Sequence, residues 1–140
     1  MNGKPFFDTN ILVYTVGEHD ERTAVAESLL AGGGVVSVQV LNELAAVMQR
    51  KLRMPWDEII EALTAVRVFC PSPTSLTPET HDTALALARR HRWHIYDALI
   101  VAAALEAGCS TLYTEDLQDG RVIDGRLTIV NPFLPRSRAR

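Results

Sequence analysis

The run from Tyr96 to Ala107 constrains this chain more than any other feature. Its residues are apolar almost all round, and Gly108 ends it. A helix without a polar stripe has to be covered on every side, so other elements must enclose it in layers. Its longest apolar stretch, Ala98 to Leu105, falls far short of the ~20 residues that cross a bilayer. The helix therefore predicts the interior of a globular domain, with no membrane partner. A chain of 140 residues can build that interior as one domain. At this length roughly two-thirds of the unfolded surface is buried, and no disulfide or metal staple is needed. Hydrophobic residues at 47% and charged residues at 22% exclude intrinsic disorder. A net charge of -3 excludes a uniformly basic nucleic-acid coat, though not local basic patches.

Strand-like and helix-like patterns alternate around this helix. Pro5 to Phe7 reads as a short buried strand ending at Asp8. Ala24, Ala26, Leu29 and Leu30 mark a helix that stops at Gly32-Gly33-Gly34. Val35 to Val38 is a second apolar strand, and Gln39 to Leu52 a helix with Leu41, Leu44, Ala45, Met48 and Leu52 on one stripe. Pro55 opens another helix, and Val66 to Cys70 fits either that helix's end or a third strand. Thr77-Pro78-Glu79 starts the next helix, which runs to about Arg90. Thr111 to Thr114 and Leu127 to Val130 are the last two strands. The alternation predicts an α/β sandwich with a mainly parallel central sheet. The domain is expected over 1–134, with 135–140 a disordered basic tail carrying Arg136, Arg138 and Arg140. The two cysteines, Cys70 and Cys109, form no C-x-x-C pair, and reduced thiols in a cytoplasmic protein are expected. The N-terminus carries no secretory pattern.

Four acids stand where apolar residues or plain surface would be expected. Asp8 lies at the carboxyl end of the first strand, where open α/β sheets bind ligands, and it is equally an N-cap for a short following helix. Glu43 is flanked on its own helical face by Val40 and Val47, and taken alone it reads as a partly exposed Glu whose stem covers the edge of the core. Asp97 opens the most apolar helix, whose N-terminus favours a carboxylate and should face a pocket. Asp116 follows the Thr111 to Thr114 strand, with Glu115 and Asp119 nearby, and taken alone this segment reads as an ordinary polar turn. In a parallel sheet the strand ends and the helix starts after them share one edge, so Asp8, Asp97 and Asp116 converge, and Glu43 can reach the same rim. Four clustered carboxylates repel, and a divalent cation relieves that. Oxygen donors without His or Cys point to Mg2+ or Mn2+. The chemistry that follows is phosphodiester hydrolysis.

Phe7-Asp8-Thr9-Asn10, Asn42-Glu43-Leu44, Tyr96-Asp97-Ala98-Leu99-Ile100 and Thr114-Glu115-Asp116-Leu117 resemble the successive motifs of the PIN domain in order and spacing. The ending Ile129-Val130-Asn131-Pro132-Phe133 is similar to the close of many VapC-type toxins of bacterial toxin–antitoxin pairs. The resemblance implies a PIN-like three-layer α/β/α sandwich. It implies a metal-dependent endoribonuclease acting on structured RNA, commonly tRNA or rRNA, and held inactive by a cognate antitoxin protein. It further implies a homodimer, with Asp8, Glu43, Asp97 and Asp116 as the acidic catalytic and metal site. Thr114 matches the family's hydroxyl beside that site, and Asn10 its polar residue after the first acid. Asp119 has no firm counterpart.

Two basic clusters offer phosphate contacts: Arg50-Lys51-Arg53, better read as a solvated helix end, and Arg89-Arg90-His91-Arg92. Trp93 fits either a base-stacking platform or a lid over the core. His91 and His94 are read as surface residues. Two other readings stay open. An Asp8-nucleophile phosphotransfer domain would want a second acid near Asp8 and a lysine after a later strand, but Asn10 stands near Asp8 and no lysine follows Lys51. A non-cleaving PIN-like scaffold that binds RNA or a partner would not require all four acids.

Overall fold

The computed structural model describes residues 3–17 and 19–135. The tail from Arg136 onward lies outside the described residues. β1 (Phe6–Phe7) leads directly into α1 (Thr9–Val16), and α2 (Glu21–Ala31) follows. α3 (Val38–Arg50), α4 (Trp56–Phe69), α5 (Pro78–His91) and α6 (Ile95–Glu106) come next. β2 (Thr111–Tyr113), β3 (Val122–Ile123) and β4 (Leu127–Val130) close the chain. The sheet order is β1-β2-β4-β3, parallel except for β3 against β4. The mixed α/β architecture with a mainly parallel sheet is as the alternation predicts.

α6 explains itself by its burial. Every residue from Ala98 to Leu105 is buried, as a helix with no polar stripe requires. α5 lies along it, and α1 packs on both α2 and α3. α5 starts with a capping box: the Thr77 hydroxyl accepts the Thr80 N–H at 3.1 Å and the Thr80 hydroxyl accepts the Thr77 N–H at 3.4 Å. Thr80 is fully buried and its hydroxyl donates to Glu106 at 2.7 Å, fastening the start of α5 to the end of α6.

The structure departs from the periodicity in two places and settles a third that it left open. Val35 to Val38 is not a full strand. It runs beside β1 through an isolated bridge between Phe6 and Val35, and then Ser37 caps α3 by accepting the Val40 N–H at 3.2 Å. The local cap ends the extended segment before a ladder can form. Gly34 allows the close approach to β1: a Cβ there would lie 2.4 Å from the Phe7 ring and 2.7 Å from the Pro5 carbonyl oxygen. Val66 to Phe69 is the end of α4, not a third strand. Finally, β3 goes unmarked by its two residues, but the turn after it is readable. Asp124 and Gly125 both have positive φ, 52° and 66°, the conformation that an Asp-Gly hairpin turn demands.

Cys70 and Cys109 are free and buried, and burial pushes both thiols up to about 11. No helix among the described residues is long and apolar enough to cross a membrane.

Candidate active site

β1 ends and α1 begins on Asp8, and one carboxylate does two jobs there. Its Oδ1 accepts the Thr9 backbone N–H at 2.6 Å, capping α1. Its Oδ2 accepts the hydroxyl of the fully buried Thr114 at 2.7 Å. The N-cap reading of Asp8 is thus borne out, by a carboxylate that stands at the carboxyl end of β1. The Thr114 oxygen in turn accepts the Asp116 N–H at 3.0 Å, so a single hydroxyl ties the end of β1 to the loop after β2. Asn10, in the first turn of α1, donates to the two Asp116 oxygens at 3.2 and 3.5 Å.

Asp97 reaches the same place from the first turn of α6. His94 caps that helix, its Nδ1 accepting the Tyr96 N–H at 3.1 Å. Oxygens of Asp8, Asp97 and Asp116 all lie within 4.8 Å of one another. With Glu43, Asn10 and Tyr96 they line an open cleft of about 340 Å³. Glu43 is part of this cleft but not of the tight group. Its Oε1 accepts the Thr9 hydroxyl at 2.7 Å and its Oε2 accepts the Gln39 amide at 2.8 Å.

Burial raises the Asp8 carboxyl to about 7, from an ordinary 3.8. The Thr114 hydroxyl and Thr9 N–H hold it down, while the charges of Asp116 and Asp97 push it further up. Asp97 is also raised, first by burial and then by Asp116, with His94 opposing and Glu43 adding to the rise. The rim therefore holds negative charge at a disadvantage. Three hard oxygen donors converge without His or Cys among them, which is the donor chemistry of Mg2+ or Mn2+. The residues present fit such a cation.

Thr9 and Gln39 support the site without having stood out in the sequence. Gln39 is one helical turn before Glu43, is nearly buried, and also donates to the Tyr96 carbonyl at 3.3 Å, linking α3 to the start of α6. The i, i+4 pairing with Glu43 was the available signal. Asp119 lies outside the group of three, and its Oδ1 accepts the Asn131 N–H at 2.8 Å.

The basic stretch before α6 is arranged differently from the sequence expectation. Arg90 pairs with Asp124 at 3.1 Å. His91 is not a plain surface residue: it is half-buried, stacks on Trp93 with ring centres 4.3 Å apart, and its Nδ1 lies 2.9 Å from the Arg121 guanidinium. Burial and the neighbouring arginines lower its pKa. Trp93 packs against the core, with Arg121 5.8 Å from its ring centre, so its lid reading prevails over base stacking. Arg50, Lys51 and Arg53 are exposed at the end of α3.

Comparison with known proteins gives a consistent picture. The family model described as the PIN domain matches residues 6–122. No curated protein matches the chain. Among solved structures, Mycobacterium tuberculosis VapC20, described as a Sarcin-Ricin loop cleaving toxin, superposes with a TM-score of 0.62 at 21% identity, covering 80% of this chain and 89% of that one. A toxin–antitoxin complex from Klebsiella pneumoniae reaches a TM-score of 0.70 at 20% identity, covering 92% of this chain and 98% of that one. At such identities the two structures speak for the fold. The family match spans all four acids from Asp8 to Asp116, and the chain belongs to the PIN domain family.

Proposed function

We propose that this protein is a VapC-type toxin: a Mg2+- or Mn2+-dependent endoribonuclease that cleaves structured RNA by phosphodiester hydrolysis and is neutralised by a cognate antitoxin. The observation that carries this reading is the convergence of Asp8, Asp97 and Asp116 on one open cleft. PIN membership and the likeness to toxin structures support it. Asp8, Asp97 and Asp116 hold the cation, and Glu43 completes the acidic site from α3. A divalent cation there supplies a water of lowered pKa and positive charge against a phosphate in transition. Thr114 and Asn10 fix the orientation of Asp8 and Asp116 through the bonds described above. Glu43 in turn is kept in place by Thr9 and Gln39. A tRNA or rRNA substrate, a homodimer and a cytoplasmic location belong to the same proposal. An arginine of the antitoxin finds an evident electrostatic target in these acids.

The test is cleavage of purified tRNA and rRNA by the full chain. Mg2+ or Mn2+ supports activity, excess chelator abolishes it, and folded Asp97→Asn loses roughly a hundredfold or more. Equal degradation in chelator, or full activity of folded Asp97→Asn, overturns the reading. Expression of the wild type should arrest growth, and co-expression of the antitoxin should relieve the arrest.

A further inference from the structure

Asp116 is the most exposed of the three clustered acids and sits in a loop rather than on a strand or helix. Something must hold that loop still, because displacement of a site carboxylate by about 1 Å is enough to weaken a site of this kind. On the cleft side, Asn10 and Thr114 bond to it directly. The next residue back, Glu115, is held separately. Tyr14 donates its hydroxyl to Glu115 Oε1 at 2.7 Å. Asn10 and Tyr14 are four residues apart on α1, so they share one face of that helix, one turn apart. One helical face thus grips two successive residues of the loop, Asp116 from the first turn and Glu115 from the second.

The grip is itself braced. The Tyr14 ring meets Phe133 edge-on, centroids 4.9 Å apart and planes at 72°. Arg22 of α2 places its guanidinium 5.4 Å from the centre of that ring and its Nε 3.8 Å from Glu115 Oε2. The Arg22 contact is long and its side chain about half exposed, so it adds little energy by itself. The hydroxyl-to-carboxylate bond is short, charge-assisted and only partly open to solvent, and it dominates.

We infer that Tyr14 is a positioning residue for the acidic centre: through Glu115 it latches the loop that presents Asp116, so that the three carboxylates keep the spacing a divalent cation requires. The inference rests on the reading of Asp8, Asp97 and Asp116 as a metal centre. Neither Tyr14 nor Glu115 lines the acid cleft, so each acts on the centre through the loop.

The experiment is Mn2+ binding to the purified full chain, followed by the loss of the free-ion electron paramagnetic resonance signal. Tyr14→Phe keeps the ring against Phe133 and removes only the hydroxyl, so the fold is retained. It should weaken Mn2+ binding about tenfold, the lower end of what outer-shell partners contribute. Glu115→Ala should weaken it by a similar factor, and the double variant by no more than either single change. Glu115→Gln, which keeps an acceptor oxygen for the hydroxyl, should recover most of what Glu115→Ala loses. In RNA cleavage at fixed subsaturating Mn2+, kcat should fall with KM unchanged. Variants that melt earlier yet bind Mn2+ as the wild type does would show a merely structural contact and overturn the latch, as would strictly additive losses. A wild type that binds no Mn2+ would instead remove the metal centre, and the latch with it.

Discussion

At the scale of single residues, Asp8 concentrates the chemistry of the molecule. It closes a strand, caps a helix, accepts a buried hydroxyl and faces two other carboxylates. Its folded pKa of about 7 lies above the ordinary 3.8, so in metal-free protein the native state binds this proton more tightly than the unfolded chain does. Its contribution to stability is then fully present below about 3.8 and is lost as pH rises through about 7. Chelator-treated wild type should therefore gain stability over Asp8→Asn when the pH is lowered from 8 to 5. Denaturant titrations of both proteins at the two pH values check this. If the gap between them stays constant, Asp8 is not the group responsible. Much of this residue was legible beforehand: an acid between Phe6-Phe7 and Ile11-Leu12-Val13 reads as a strand-end group or as a helix cap. Thr9 was not legible, because an ordinary Thr acquires meaning only from Glu43 across α1 and α3, whereas Gln39 left only its i, i+4 spacing from Glu43 as a signal.

Elements obey local chemistry wherever a cap or breaker is strong. Thr77-Pro78 with Thr80 starts α5, and Gly32 to Gly34 stop α2. Replacing Thr77 by Ala removes one half of the capping box and should cost about 1 kcal/mol. For a domain of this size that is a fall in melting temperature of roughly 3–5 °C. Thr77 lies outside the acid cleft, so Mn2+ affinity should be unchanged, and differential scanning calorimetry with a parallel Mn2+ titration reads both quantities. A loss of metal affinity would mean that the register of α5 controls α6 and its Asp97. Weak local signals fared differently. Val35 to Val38 has the composition of a strand, but the Ser37 cap and the start of α3 left it only two isolated bridges, Val35 to Phe6 and Ser37 to Thr74. Val122–Ile123 has too few residues to declare itself, and only pairing with β4 makes it a strand.

On the scale of the whole molecule, parallel pairing of β1, β2 and β4 gathers distant acids. Phe6 lies opposite Leu112 and Phe7 opposite Tyr113, which brings Asp8 and Asp116 to the same end of neighbouring strands. The folded chain holds this charge together and the unfolded chain does not, so a bound cation should stabilise the fold. Mg2+ at about ten times its dissociation constant contributes about 1.4 kcal/mol by linkage. That corresponds to a rise in melting temperature of roughly 3–8 °C, which should shrink in Asp8→Asn. Thermal unfolding at neutral pH with and without Mg2+ measures it. A wild-type melting point indifferent to both Mg2+ and Mn2+ would mean that the acids are paired structurally.

The sequence by itself determined the fold class, because strand-like and helix-like segments alternate around a helix that must lie inside layers, and strong caps and glycine stops set where the other helices begin and end. It also determined which acids were out of place, since Asp8 and Asp97 interrupt apolar runs. The tertiary structure alone decided that Asp8, Asp97 and Asp116 form the tight group while Glu43 stands beside it, occupied by Thr9 and Gln39. It also decided that Trp93 and His91 stack on each other, and that Glu115 turns to Tyr14. Helical and strand periods fix which way a residue faces on its own element. Distances between side chains on different elements depend on strand register and helix packing, which no local pattern encodes.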